Sequence, residues 1–135
     1  MGNSWDDRCK LRICDLLHRR PDDRSGLPQD AAKCITAGAS GHAILDAMKL
    51  GYVGGWLRAA ALMDAAGLPT SCHAFPEFSV HLLGATPTCH RLEYFDHVGP
   101  LLRQPLRIQA GQALIPDRPG SGLEWSEDAI RHALR

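Results

Sequence analysis

The sequence predicts an α/β fold in which short parallel strands alternate with helices. Between residues 30 and 103, a helical stretch and a short apolar run follow one another three times in the same order. Each apolar run ends at, or is followed at once by, an ionisable residue. Parallel strands cannot be joined by a tight turn and need a crossover segment, so this alternation indicates right-handed βα units.

Three helices and three strands are expected in this region. Helix-favouring residues between capping or breaking residues predict helices over residues 30–38, 56–66 and 77–85. Short apolar runs predict strands over residues 43–45, 69–72 and 91–93. Gly54 and Gly55 are interpreted as a break before the second helix, because glycine lowers helix propensity.

The two ends of the chain have other patterns. In residues 104–135, two apolar runs flank a turn at Gly111 and predict a hairpin, and Ser126 is a good N-cap for a final helix. Residues 1–29 are charged and irregular. Four apolar residues there are spaced as one face of a short helix that Pro21 would end: Leu11, Ile13, Leu16 and Leu17. A divergent, disordered lead fits residues 1–29 equally well.

Composition narrows the class of protein. Fifteen basic and fifteen acidic residues cancel, which argues against nucleic-acid binding through clustered Lys and Arg. No apolar run approaches the ~20 residues that span a bilayer, and no signal-peptide pattern occurs. The five cysteines are an odd number without a CxxC pair. Odd, unpaired cysteines are typical of reduced thiols, so a cytoplasmic protein is expected.

Three ionisable residues lie at the carboxyl ends of the predicted strands: Asp46, His73 and Glu93. The carboxyl ends of parallel strands face one side of a sheet or barrel, where active sites are found. We therefore expect the three side chains to converge. The pattern alone also fits structural roles, in which the histidine is hydrogen-bonded and the carboxylates cap the following helices.

Three motifs surround these residues. They are Asp46-Ala47-Met48-Lys49 with Gly54-Gly55-Trp56-Leu57-Arg58, then Ser71-Cys72-His73-Ala74-Phe75-Pro76-Glu77, then His90-Arg91-Leu92-Glu93-Tyr94. In order and spacing they resemble the mandelate racemase subgroup of the enolase superfamily. The resemblance covers residues 35–134. It implies the last three βα units of a TIM-type (β/α)8 barrel, over residues 30–103, followed by a hairpin and helix that would pack near the family's capping domain.

The resemblance also implies a chemistry. Members of the subgroup remove the proton α to a carboxylate and stabilise the enediolate on Mg²⁺, as racemases or acid-sugar dehydratases of small-molecule carboxylates. At the matching positions His73 is the general base, Asp46 is its partner, and Glu93 hydrogen-bonds the substrate carboxylate. Lys49 is a further candidate for binding an anionic substrate, although a solvated loop lysine is as consistent with its position.

The metal site is where the sequence departs from this pattern. The subgroup holds Mg²⁺ on carboxylates from three preceding strands and carries a second base in a KxK motif. By that spacing only the last ligand would fall in this chain, near Asp23, whose neighbours are not strand-like, so Asp23 receives no metal role. We expect no metal on this chain alone. A zinc site is disfavoured because no CxxC or HxxxH pair occurs among Cys72, His81, Cys89 and His90.

Two functions therefore stay open. One is an acid–base site for a 2-hydroxy acid or sugar acid, inactive without the missing groups. The other is a truncated, non-catalytic chain that self-associates through exposed barrel edges. Either function is compatible with a homo-oligomer.

Overall fold

The computed structural model describes residues 10–14, 28–38 and 40–135. The strands are β1 (Lys10–Cys14), β2 (Ala43–Leu45), β3 (Thr70–Cys72), β4 (Arg91–Glu93), β5 (Arg107–Gln109) and β6 (Gln112–Leu114). The helices are α1 (Pro28–Thr36), α2 (Tyr52–Ala65), α3 (Pro76–Gly84) and α4 (Glu127–Ala133), with a 3₁₀ turn at Gly99–Leu101. The α/β class expected from the sequence is confirmed.

The predicted alternation places parallel strands side by side. β2 pairs in parallel with β3, and β4 pairs in parallel with β1. A single parallel bridge between Thr70 and Cys89 connects the two pairs. The predicted hairpin is formed by β5 and β6, and β6 pairs antiparallel with β1. The carboxyl ends of β2, β3 and β4 thus belong to neighbouring parallel segments.

The core lies between these strands and the helices that follow them. Trp56 and Met63 of α2, and Leu83 of α3, are almost completely buried. They pack with Leu45 of β2 and Leu92 of β4 in one apolar cluster. The Trp56 ring nitrogen donates to the Thr86 hydroxyl at 3.0 Å, so the one polar atom of this indole is paired. This packing fixes the helices against the strands that carry the ionisable residues.

Two sequence-based expectations are wrong. The helix suggested by Leu11 and Ile13 is instead strand β1, whose alternation of apolar and basic residues has the period of a strand. Leu16, Leu17, Pro21 and Asp23 lie outside the described residues.

The break predicted at Gly54 and Gly55 is also wrong, because α2 begins at Tyr52 and includes both glycines. Gly51, with φ of 77°, is the residue that separates α2 from the preceding turn. A Cβ atom at Gly55 would lie 1.5 Å from the Leu50 carbonyl oxygen. Glycine is therefore required here by close backbone packing, which outweighs its low helix propensity.

The remaining elements agree with the predicted positions to within a few residues. Ser126 caps α4, because its hydroxyl accepts from the Ala129 N–H at 3.3 Å. Among the described residues no helix is long and apolar enough to cross a membrane.

Candidate active site

The three predicted site residues lie together. β2 ends at Leu45, directly before Asp46, and β3 ends at Cys72, directly before His73. Glu93 is the last residue of β4. The His73 N–H donates to the Leu45 carbonyl at 2.8 Å, which extends the β2–β3 ladder to the position where the site begins. Strand register therefore brings the three side chains to one edge.

Asp46 is a buried carboxylate, with 5% of its surface exposed. Its Oδ1 atom accepts from the Met48 N–H at 2.9 Å and from the Lys49 N–H at 3.2 Å. These bonds hold the turn after β2 and fix the carboxylate plane. The other oxygen, Oδ2, is directed at His73.

His73 lies between the two carboxylates. Its Nδ1 atom is 3.2 Å from Asp46 Oδ2, and its Nε2 atom is 4.0 Å from Glu93 Oε2. A carboxylate accepts hydrogen bonds, so Asp46 favours the tautomer with the proton on Nδ1. The Nε2 lone pair is then available as a base. With 30% of its side chain exposed, the imidazole is accessible to a small molecule.

Glu93 is held through both its backbone and its side chain. The Ala74 N–H donates to Glu93 Oε2 at 2.7 Å, and the Glu93 N–H donates to the Cys72 sulfur at 3.3 Å. Burial raises the pKa of the Cys72 thiol to about 12, an effect that the Glu93 N–H partly offsets and the Glu93 carboxylate charge reinforces. Cys72 is thus a neutral thiol beneath the carboxylate.

The turn after His73 has an unusual backbone. Ala74 and Phe75 have φ values of 55° and 48°, in the left-handed region that costs a residue with a side chain on the order of 1–3 kcal/mol. Helix α3 holds this turn, because the Phe75 carbonyl accepts from the Phe78 and Ser79 N–H groups at 3.0 and 2.8 Å. The Ser79 hydroxyl also donates to the Ala74 carbonyl at 2.9 Å.

Sequence reasoning missed Ala74 and Ser79. The one available signal was Pro76, which disfavours right-handed helix at Phe75 and so places the start of α3. That signal does not reveal where the Ala74 N–H points.

Lys49 lies at the edge of the site. Its ammonium group is 3.8 Å from Asp46 Oδ2, and 45% of its side chain is exposed. The structure therefore brings Lys49 to Asp46, but an ion pair of this length whose lysine is half-exposed contributes little to stability. Substrate binding by Lys49 stays a prediction.

The described residues do not fit a metal site. No group of three or more His, Cys, Asp or Glu side chains in the described ranges could hold a metal ion. Asp46 directs one oxygen at backbone N–H groups and the other at His73, and Glu93 Oε2 accepts from Ala74. These oxygens are engaged with protein donors.

Parallel βα units with a histidine between two carboxylates at the strand ends define an α/β protein with an acid–base constellation. The chain belongs to the enolase C-terminal domain-like family, whose model matches residues 22–129. The resemblance found in the motifs is thereby confirmed.

Individual relatives agree with this assignment. An enolase from Bradyrhizobium, solved with magnesium and mandelic acid, is 43% identical with a TM-score of 0.73 over 78% of this chain and 29% of its own. An L-talarate dehydratase from Polaromonas sp. JS666, solved with Mg and L-glucarate, is 31% identical with a TM-score of 0.68 over 77% of this chain and 29% of its own. An L-talarate/galactarate dehydratase from Salmonella typhimurium LT2 is 32% identical over 97 residues, which are 72% of this chain and 24% of that protein. The chain thus spans 24% to 29% of the length of these relatives.

Proposed function

We propose that Asp46, His73 and Glu93 supply the acid–base groups that remove the proton α to a carboxylate in a 2-hydroxy acid or sugar acid. The observation that carries the proposal is the 3.2 Å contact between Asp46 Oδ2 and His73 Nδ1, with His73 Nε2 directed toward Glu93. The βα units would belong to a (β/α)8 barrel of the enolase type. The mandelic acid and L-glucarate bound by relatives support this substrate class.

His73 is the proposed general base. Its Nε2 atom takes the α-proton, and the electron pair of the C–H bond moves into the substrate carboxylate to form an enediolate. The Asp46 carboxylate stabilises the resulting imidazolium, because the positive ring lies 3.2 Å from a negative oxygen. A well-placed base of this kind typically contributes ~10²–10⁴-fold to the rate.

Glu93 is the proposed partner of the substrate carboxylate. In its protonated form it donates a hydrogen bond to the oxygen on which negative charge develops. Racemisation and dehydration begin with the same proton removal and differ only in the second step, which is either return of a proton or loss of a β-hydroxyl. The set therefore fits a racemase or an acid-sugar dehydratase, and Lys49 is proposed to assist in binding the anion.

The argument for magnesium comes from the related structures. Two of them were solved with the metal bound, whereas the described residues of this chain offer no group that could hold it. We propose that these residues contribute the general base, His73, and the group that binds the substrate carboxylate, Glu93, but no metal ligand. The described residues by themselves are then expected to catalyse proton removal poorly, because they give the enediolate no metal ion as stabiliser.

Ligand binding tests the site independently of turnover. Titration with mandelate and L-glucarate, followed by NMR of the His73 imidazole, should show saturable shifts that Glu93→Ala abolishes. Any exchange of the substrate α-proton in D₂O with Mg²⁺ present should disappear in His73→Asn. The absence of His73 shifts at saturating ligand would overturn the proposal, as would exchange that persists in His73→Asn.

A second candidate function is self-association without catalysis. Among the described strands β2 has β3 as its only partner, so none of these strands covers the other edge of β2. Helix α2 exposes Tyr52, Val53 and Leu57, each about half accessible. Sedimentation velocity would show concentration-dependent oligomers that Leu57→Lys weakens. Self-association without carboxylate binding at His73 would favour this candidate over the first.

A further inference from the structure

Ser79 hydrogen-bonds the turn that contacts Glu93. It lies in α3, is completely buried, and has no place in the acid–base set. Its hydroxyl donates to the Ala74 carbonyl at 2.9 Å.

Ala74 and Cys72 both contact Glu93. Ala74 donates its N–H to Oε2 of the Glu93 side chain at 2.7 Å, and Cys72 accepts the Glu93 N–H at 3.3 Å. The connection through Ala74 depends on backbone geometry. The residue that donates this N–H, Ala74, and the next residue, Phe75, both have left-handed φ values, and Ser79 bonds the peptide between them.

These contacts distinguish the two oxygens of Glu93. Oε2 accepts from Ala74 and is the oxygen nearest to His73 Nε2. Within the described part of the chain, Oε1 has no hydrogen-bond donor. Since Oε2 is engaged by the Ala74 N–H, Oε1 is the oxygen that is left to contact a ligand.

We propose that Ser79 is a positioning residue that holds the Ala74–Phe75 turn and, through it, fixes Glu93 with Oε1 facing the substrate. The part of this inference that concerns the substrate rests on the proposed function. The positioning itself is a property of the free protein and can be measured without ligand.

Amide hydrogen exchange provides that measurement. The His73 N–H, which donates to the Leu45 carbonyl and does not contact Glu93, is an internal reference for the Ala74 N–H. In Ser79→Ala the exchange rate of Ala74 relative to His73 should rise about tenfold or more, because a hydrogen bond to a charged group is released. Val80→Ala is the matched control, since it removes buried apolar atoms from the same helix turn and should leave this ratio unchanged.

Three further results complete the test. Glu93→Ala should raise the same ratio as Ser79→Ala does, and an unchanged ratio in either folded variant would overturn the inference. If Ser79→Ala does not fold, Ser79→Thr retains the hydroxyl and should restore both folding and the protected Ala74 amide, and folding without that protection would count against it.

Affinity for L-glucarate should fall in Ser79→Ala but not in Val80→Ala. If the exchange ratios respond as expected while wild type binds no carboxylate, the proposed function fails and the positioning role stands.

Discussion

Oδ2 of Asp46 lies 3.2 Å from Nδ1 of His73, although the two residues are 27 positions apart. One complete βα unit separates them, so the contact exists only when β2 and β3 are paired in the observed register. The carboxylate is buried and the imidazole is partly exposed, so the bond anchors the accessible group to a fixed one. The tautomer of His73 therefore depends on Asp46.

Asp46→Asn should change the tautomer of His73. The asparagine oxygen can still accept from the Met48 and Lys49 N–H groups, which leaves its amide NH₂ facing Nδ1. An amide donor requires Nδ1 to be unprotonated, so the proton should move to Nε2 and remove the proposed basic lone pair. Nitrogen-15 NMR of the imidazole measures this directly.

Lys49→Met is the control for that change. It removes a charge 3.8 Å from Asp46 Oδ2 without offering a donor to His73, so the proton should stay on Nδ1. A wild-type-like tautomer in Asp46→Asn would contradict the assigned role of Asp46.

Gly55→Ala and Gly54→Ala should have opposite effects on the free energy of unfolding. At Gly55 a new Cβ would meet the Leu50 carbonyl at 1.5 Å, so a loss on the order of 3 kcal/mol or more is expected. At Gly54 the nearest atom is a flexible Arg58 nitrogen at 3.7 Å, so alanine should stabilise the helix by roughly 0.5–1 kcal/mol. Urea denaturation of both variants is the measurement, and similar effects in the two would refute the packing argument.

Glu77 should make the protein less stable as the pH rises above 4.5. Burial raises the pKa of this carboxyl and the charge of Asp96 adds to the effect, while His97 opposes it. The folded state then retains a proton that the unfolded chain releases, so stability is lost between the unfolded value of 4.5 and the higher folded value. Glu77→Gln should flatten this part of the stability profile, because the amide does not ionise. Profiles of equal slope in wild type and variant would be the contrary result.

His42 should have the reverse effect at somewhat higher pH. Burial lowers the pKa of His42, and the neighbouring His90 and Arg91 lower it further. The unfolded chain therefore binds a proton more readily than the folded one, so stability falls as the pH drops below 6.5 toward the folded value. His42→Gln should reduce the dependence of stability on pH in this range.

His81 limits the size of that reduction. Burial also lowers the pKa of His81, with a further contribution from Arg118, so part of the slope should remain in His42→Gln. The double variant with glutamine at both His42 and His81 should lose more of the dependence of stability on pH than either single variant. Denaturation between about pH 5 and 7 measures this. A slope that neither substitution alters would show that other groups control acid stability.

The positions of the site residues could be predicted because the strand pattern fixes them. Asp46, His73 and Glu93 each end or follow a strand, and parallel strands bring such residues to one edge whatever the details of the loops. The sequence could not reveal the Ala74 bond to Glu93, since it depends on a left-handed backbone that alanine disfavours. That conformation is imposed by α3 and not by the local sequence.

Strand β1 could not be predicted for a different reason. Its partners, β4 and β6, lie about eighty and one hundred residues further along the chain, so no local periodicity indicates them. Gly55 illustrates the same limit, because its requirement comes from the Leu50 carbonyl that folds against it. Propensity at these positions is outweighed by tertiary contacts.

The burial of the Cys72 sulfur beside Glu93 affects how the site responds to oxidants. Peroxide attacks thiolates, and a thiol with a pKa of about 12 is ionised at neutral pH in only roughly one molecule in 10⁵. Cys72 should therefore remain reduced under peroxide concentrations that oxidise ordinary exposed thiols to sulfenic acid. The hydrogen bond that Cys72 accepts from Glu93 would then persist through oxidative stress, because a sulfur of this kind is a chemically inert part of the scaffold.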